Sequence, residues 1–555
     1  MSVQKEFGDF QTPLLLAREV VRLIDALIGT PSRVIEPTAG LGTFLEAAQE
    51  TWGSRATYGG YEINRAYVEE AKANLTTKGI QFTTQDFFDA DWNAILSDSK
   101  NNNVLVLGNP PWVTNSALGS LGSNNIPTKT NFQGLRGLDA KTGKANFDIA
   151  EWMLIRLIDA LPAGGSMAML CKTMTARKVL RHLWKTDAGR EYSCIFLIDA
   201  KKHFDVSVDA CLLFVGGKLH PKRTATIYSA LCKSEEHSEF GLVDGNLVSD
   251  VASYLELRDL DGGSPYTWRS GLKHDASEVM ELTPKGDHYV NGHGESVQIE
   301  PDCVFPLLKS SDLGNGRLIP RKFVIVPQRT TGQDTETIRL SAPQTWDYLV
   351  RHADKLDGRK SSIYLKRPRF SIFGVGDYSF APWKVAISGL YKNFRFVVVS
   401  PYDGRPVILD DTCYSIPCKS HVEASILADA LNSEECQRFI RSLVFADSKR
   451  PITVEILRRI SLVALARRRG RLEELAPFIN ECATPSGQKE SQLQLVMDEP
   501  TEYRSKRVRA IRRLGKRLTK PDCESPNSTV KSVPISPPSG PATGCCNGLH
   551  RESNF

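Results

Sequence analysis

The sequence predicts an α/β chain: a doubly wound, largely parallel sheet in the first 218 residues, then an α+β domain, then a solvated basic tail. Three observations predict it. From about Ser32 to Gly217 short β-rich runs alternate with helical stretches, the pattern of βαβ units covered on both faces. The chain has 555 residues, well past the roughly 250 to 300 at which one hydrophobic core usually stops growing, so at least two domains are expected. After Thr484 the composition turns polar, then basic, then rich in Pro, Ser and Gly from Pro521 to Gly544. Such a stretch buries too little apolar surface to offset chain entropy, and disorder is expected over 484–555.

The strand runs of the first domain, 1–218, are Arg33 to Ile35, Thr57 to Tyr61, Val104 to Leu107, Ser166 to Leu170, Cys194 to Ile198 and Ala210 to Val215. The short link Asp199 to Asp209 between the last two suggests an antiparallel pair at the end of the sheet. Residues 219–304 are mixed and polar and read as a connector. From 305 to 470 a second domain is expected, with strands at Phe323 to Pro327, Val385 to Ile387, Phe394 to Val399 and Cys413 to Pro417. Its helices are expected over Thr345 to Leu356, Ser420 to Ala430 and Val454 to Ala466.

Composition narrows the function classes. With 41% hydrophobic and 24% charged residues the chain is ordinary globular protein. It has no apolar run long enough to span a bilayer, and a polar Met1 to Phe10 without a basic leader, so a cytoplasmic, membrane-free location is expected. The twelve cysteines include no CxxC pair, which points to neither a metal site nor a disulfide framework. The net charge of +6 is local: Arg504 to Lys520 holds nine Lys or Arg and no acid, and removing those nine cations turns +6 into −3.

Chemistry concentrates at strand ends. In Val34-Ile-Glu36-Pro37-Thr-Ala-Gly40-Leu-Gly42 a strand ends in an acid, and a glycine turn then opens a helix. Such a turn lets backbone amides approach a cofactor where a side chain would clash. Glu62, ending the next strand, lies 20 residues after Gly42, the spacing at which an acid meets ribose hydroxyls. Asp86 ends a third strand beside Phe87 and Phe88, suited to an adenine ring and its amine. Each acid alone reads more readily as a helix cap or a surface charge; three at successive strand ends argue against chance. The fourth strand runs into Asn109-Pro110-Pro111-Trp112. Two prolines remove backbone donors and fix the chain, so an amide oxygen and a carbonyl can accept both hydrogens of a planar NH2 group, drawing its lone pair out of ring conjugation. Trp112 adds a flat face.

These segments, with Phe7-Gly-Asp-Phe10-Gln-Thr12-Pro13 upstream, resemble in their order the motif set of class I S-adenosylmethionine-dependent methyltransferases. Specifically they resemble the amino-methylating, N6-adenine DNA methyltransferases of the gamma arrangement found in bacterial restriction-modification systems, over residues 7 to 217. The resemblance implies a Rossmann-like methyltransferase sheet, S-adenosyl-L-methionine as cofactor, double-stranded DNA as partner and a cognate restriction endonuclease encoded separately. It implies that Phe10, Thr12 and Pro13 close over the methionine part of the cofactor, with Glu36 and Gly40 at its carboxyl and amino end. Glu62 then meets the ribose, and Asp86 with Phe87 the adenine. Asn109, Pro110, Pro111 and Trp112 form the catalytic tetrad, with Asn109 also beside the cofactor, and Asp148 contributes to both pockets. Phe204, in Lys202-His-Phe204-Asp-Val, resembles the aromatic that stacks on the other face of the extruded base, with a plain core position as the alternative. The family more often ends the tetrad in Tyr or Phe, so Trp112 keeps cytosine N4 open as the acceptor. Protein-glutamine and ribosomal-RNA methyltransferases share an NPP-aromatic tetrad but usually lack FxTP and a second domain of this size.

Two segments suit DNA. Asn115 to Lys144 is polar and carries Lys129, Arg136, Lys141 and Lys144, fitting a loop that closes over substrate or a plain solvated one. Ser362 to Gly376 interleaves Lys366, Arg367 and Arg369 with Tyr364, Phe370 and Phe373. Arg can read guanine bidentately, and cations beside aromatics serve phosphate and base contacts together.

Overall fold

The computed structural model describes residues 11–97, 103–113, 148–186, 189–233, 237–445 and 447–482. All of these belong to one compact unit, Met1–Gln488. Phe10, the segment from Asn115 to Lys144 and the basic tail lie outside the described residues.

Helix α1 (Leu14–Ile28) buries Leu16, Ala17, Val20, Val21 and Ile24, the spacing of one helical face. Strand β1 (Arg33–Glu36) leads through the glycine turn into α2 (Thr43–Trp52). Gly42 caps α2 at φ +82°, and a Cβ there would stand 2.6 Å from the Phe82 ring, so both conformation and space demand glycine. Helix α1 is tied to α2 by Arg18, whose Nε and Nη2 reach the Glu50 carboxylate at 2.7 and 2.8 Å, and by Trp52 Nε1 donating to Asp25 at 2.7 Å. The segment just before α1, with Thr12 and Pro13, is thereby held near the glycine turn.

The first sheet continues with β2 (Thr57–Glu62), β3 (Ile80–Thr84), β4 (Val104–Gly108), β5 (Ser166–Lys172), β6 (Arg190–Ile198) and β7 (Ala210–Leu219). Its order is β3-β2-β1-β4-β5-β7-β6, parallel from β3 to β5, with β7 antiparallel to both β5 and β6. This is the doubly wound Rossmann-like arrangement, with helices between strands: α3 (Arg65–Leu75), α4 (Trp92–Leu96), α5 (Ile149–Ala160), α6 (Thr173–Lys185) and α7 (Ala200–Phe204). Winding reverses between β1 and β4, which opens a crevice at their carboxyl ends.

The antiparallel pair β6 and β7 forms as expected, but it does not end the sheet. Beyond β6 come β8 (Thr224–Tyr228), β9 (His237–Val243) and β10 (Asn246–Val248), so part of the stretch read as a connector is sheet. Ala225, Phe240 and Val248 are buried, but each strand sinks only one or two positions, too few for the hydrophobic pattern to announce it.

The C-terminal half contains two further sheets. One joins Arg269–Ser270, Cys413–Cys418, Trp383–Ser388 and Val397–Val399, all antiparallel. The other runs Ser296–Val297, His288–Val290, Glu281–Lys285, Lys322–Ile325, Val304–Leu308 and Ile408–Leu409. The helix expected over Thr345 to Leu356 is two, Pro343–Arg351 and Ala353–Asp357. That over Val454 to Ala466 also divides, into Val454–Arg458 and Leu462–Arg468, because the Ser461 hydroxyl accepts from Ala464 N and starts a new helix. Among the described residues no helix is long and apolar enough to cross a membrane.

Candidate active site

The carboxyl ends of β1 to β4 meet in the crevice. Glu36 ends β1 with 3% of its surface exposed, and its Oε2 has no hydrogen-bond partner among the described residues. Burial pushes its carboxyl well above the usual carboxylate range; the Leu45 amide opposes the shift and the charge of Glu62 adds to it. Glu62 supports the glycine turn: Oε2 accepts from Gly40 N at 2.9 Å and Oε1 from Asn64 N at 2.8 Å. Gln11 reaches the same turn, Oε1 accepting from Leu41 N at 3.4 Å. The crevice so formed, a buried carboxylate with one oxygen unpartnered beside a turn whose glycines sit at φ +50° and +82°, could hold a cofactor carrying an ammonium group.

Asp86 lies half-buried at the end of β3, where its Oδ1 accepts from Phe88 N at 2.8 Å. Phe87 turns inward: it is buried, its ring 4.8 Å from that of Trp92, and its carbonyl accepts from Trp92 Nε1 at 3.0 Å. Phe88 is the more exposed of the two aromatics.

The tetrad leaves β4 directly against Glu36, since a Cβ on Gly108 would meet Glu36 Cγ at 3.4 Å. Asn109 Nδ2 donates to Thr12 Oγ1 at 3.3 Å, and Thr38 Oγ1 donates to the Asn109 carbonyl at 3.5 Å. Thus Thr12, Glu36 and Asn109, far apart in the chain, are brought together. Trp112 is buried, and Phe204, half-buried at the end of α7, meets it edge-on at 5.3 Å between ring centres and 67° between planes. Asp148 caps α5 through Ala150 N at 3.2 Å, and its Oδ2 receives Lys172 Nζ at 2.6 Å. Near the ends of β5, β6 and β7 lies an open pocket of about 400 Å³, lined by Thr173, Asp199, Ser207 and Asp209 among others. Thr173 Oγ1 is buried with no hydrogen-bond partner among the described residues.

The chain shares 42% identity over 468 residues with the Type II methyltransferase M.NspV of Nostoc sp., an overlap of 83% of this chain and 97% of that one. The chain belongs to the type II DNA methyltransferases of restriction-modification systems. No family model matches it. Among solved structures, the Type IIL restriction-modification enzyme MmeI in complex with DNA aligns at a TM-score of 0.44 and 12% identity, over 87% of this chain and 75% of that one. A type I restriction-modification methyltransferase subunit from Streptococcus thermophilus aligns at 0.29 and 20%, over 40% and 47%.

In the methyltransferase the other expected contacts are spread more widely. Lys366, Arg367 and Arg369 lie exposed in the C-terminal half, on an irregular loop in which Lys366 and Phe370 have φ of +61° and +64°. Arg369 is held by Asp357, its Nη2 at 2.8 Å and Nε at 3.1 Å from Oδ2. Sequence reasoning passed over Gln11, Thr38 and Lys172. Gln11 and Thr38 sit inside quoted motifs, and Lys172 follows an apolar run at a strand's carboxyl end, where ligand-side residues concentrate. Among the described residues no cluster of His, Cys, Asp and Glu is arranged to hold a metal ion.

Proposed function

We propose that this methyltransferase transfers a methyl group from S-adenosylmethionine to the N6 amino group of an adenine flipped out of duplex DNA at a specific site, its cognate endonuclease being a separate chain. The observation that carries the reading is the convergence on Asn109, held at the end of β4 by Thr12 and Thr38, beside Glu36 and one step from the Trp112 and Phe204 pair. When bound, S-adenosylmethionine supplies a methyl already activated on a sulfonium, so the work of the chain is positioning. Glu36 faces the methionine amine, Gly40 lets the backbone approach, and Glu62 and Asp86 take the ribose and adenine ends, with Thr12 and Pro13 covering the methionine side. Thr12 fixes the Asn109 amide through Nδ2, so Oδ1 serves as acceptor and, with the neighbouring carbonyl, receives the two N–H groups of the target amine. Pro110 and Pro111 keep that backbone from turning.

Extrusion of the base costs a few kcal/mol. Stacking on Trp112 and Phe204, at about 1 to 3 kcal/mol per contact, offsets much of it. Because the two rings touch, they must part to admit the base. Neighbouring bases are then read by the C-terminal half, with Lys366, Arg367 and Arg369 at the duplex. Trp112, in a place where Tyr or Phe is commoner, gives cytosine N4 as the second reading.

The test offers labelled cofactor to duplex DNA, RNA and protein in parallel and identifies the modified nucleoside by chromatography. N6-methyladenine in DNA is expected. N4-methylcytosine alone would replace the acceptor, and labelling of only RNA or protein would remove DNA as substrate.

A further inference from the structure

We propose that Lys172 is a positioning residue for methyl transfer, the clip that sets the tetrad against the target base. Lys172 is the last residue of β5 and the residue before α6. Its ammonium bridges two acceptors from different parts of the chain: the Trp112 carbonyl at 3.1 Å and Asp148 Oδ2 at 2.6 Å. Asp148 is in turn fixed, capping α5 through Ala150 N at 3.2 Å, and the Val113 carbonyl accepts from Ile149 N at 3.0 Å.

The need for a clip follows from the tetrad itself. Pro110 and Pro111 have no N–H, so the middle of this stretch cannot be tied down by backbone donors of its own. Thr12 and Thr38 hold the Asn109 end. At the other end Lys172 is the side chain that grips the tetrad's last carbonyl, with most of its surface and that of Asp148 shielded from water. A charge-assisted bond in such a place is roughly twice as strong as a neutral one. It joins β4, β5 and the start of α5 at one point, and Trp112, whose ring meets Phe204, hangs from that point. Lys172 itself need not touch base or cofactor: it acts through the Trp112 backbone, so cofactor binding at the ends of β1 to β3 should not depend on it.

The inference rests on the amino-methylation reading, and the experiment separates the two. Full-length wild type, Lys172→Met, Lys172→Arg, Asp148→Asn and the Lys172→Met/Asp148→Asn double variant are compared by steady-state kinetics on duplex DNA, calorimetry with S-adenosylmethionine, and fluorescence of 2-aminopurine at the target position. A displacement of about 1 Å at a reacting centre costs about 10²-fold in rate. Lys172→Met should therefore lower kcat by about that factor with unchanged cofactor affinity and a weaker extruded-base signal. Lys172→Arg, which keeps the charge and both contacts, should recover most of the rate. The double variant should lose less than the two single losses multiplied together, because the pair acts in part as a unit. Unchanged kcat in Lys172→Met, or equal loss in Met and Arg variants that bind cofactor normally, overturns the proposal. Failure of the wild type to methylate any amino group overturns the reading beneath it instead.

Discussion

Asn109 follows the glycine that packs on Glu36, yet the two residues should fail in different ways when changed. On the proposed reading, Asn109→Ala takes away the acceptor for the target amine and should abolish methyl transfer while calorimetry still detects cofactor binding; loss of both together would reassign the residue. Glu36→Gln should weaken cofactor binding and also change the pH dependence of stability. Burial raises the Glu36 pKa from its ordinary 4.5, so the folded protein holds a proton that the unfolded chain releases. The stability from this group is complete below pH 4.5 and is lost as pH rises through the raised folded value. Gln carries no such penalty, so cofactor-free Glu36→Gln should melt above wild type at pH 8, with the gap closing toward pH 5; a gap that widened in acid would contradict the sign. The strand-end acids and the tetrad were legible because each sits in a local motif. Lys172 was not, since its two partners come from segments 24 and 60 residues away and no local pattern announces them.

Helix α6 shows how one element links the first sheet to the C-terminal half. Its N-terminal neighbour Lys172 grips the tetrad, and one turn further Arg177 is buried, its guanidinium 4.4 Å over the Phe445 ring and 2.7 Å from Asp447 Oδ1. Phe445 also meets Phe240 of the first sheet at 5.9 Å. Removing one partner of a buried pair leaves the other uncompensated, at a cost of about 3 to 5 kcal/mol. Arg177→Met should lower the denaturant midpoint accordingly, and Arg177→Met/Asp447→Leu should lower it less; equal losses would mean that Asp447 keeps enough water to stand alone. Elements themselves were readable where hydrophobic period and caps agree, as in the expected helix from Ser420, observed as His421–Leu431 with Ser420 as its cap. The insertion of β7 between β5 and β6, and the strands beyond β6, depend on pairings distant in sequence that periodicity does not encode.

Across the whole molecule, specificity and affinity should separate. One base in a pocket cannot define a longer site, so single Ala variants of Lys366, Arg367 and Arg369 are mapped genome-wide. A bidentate guanine contact should cost about 1 to 3 kcal/mol and relax one position, whereas a phosphate contact weakens all sequences alike. The nine-cation run from Arg504 to Lys520 should add affinity without choice of sequence. Each phosphate it neutralises contributes about 0.9 to the slope of log K against log salt, so a chain ending at residue 482 should show a flatter slope and the same motif. The path of the chain between its halves bears on engineering. It leaves the first sheet after Val248, where Ser249 N donates to the Ser442 carbonyl at 2.7 Å, returns to pack the half-buried Phe445 against that sheet, and leaves again for the C-terminal core that holds Ile452 and Leu475. A chimaera that exchanged everything after residue 248 for the C-terminal half of a relative would therefore set a foreign counterpart of Phe445 and Asp447 against the first sheet and α6. Recombination between such enzymes is constrained at that loop: the graft succeeds only where donor and host agree on the residues that meet Arg177 and Phe240.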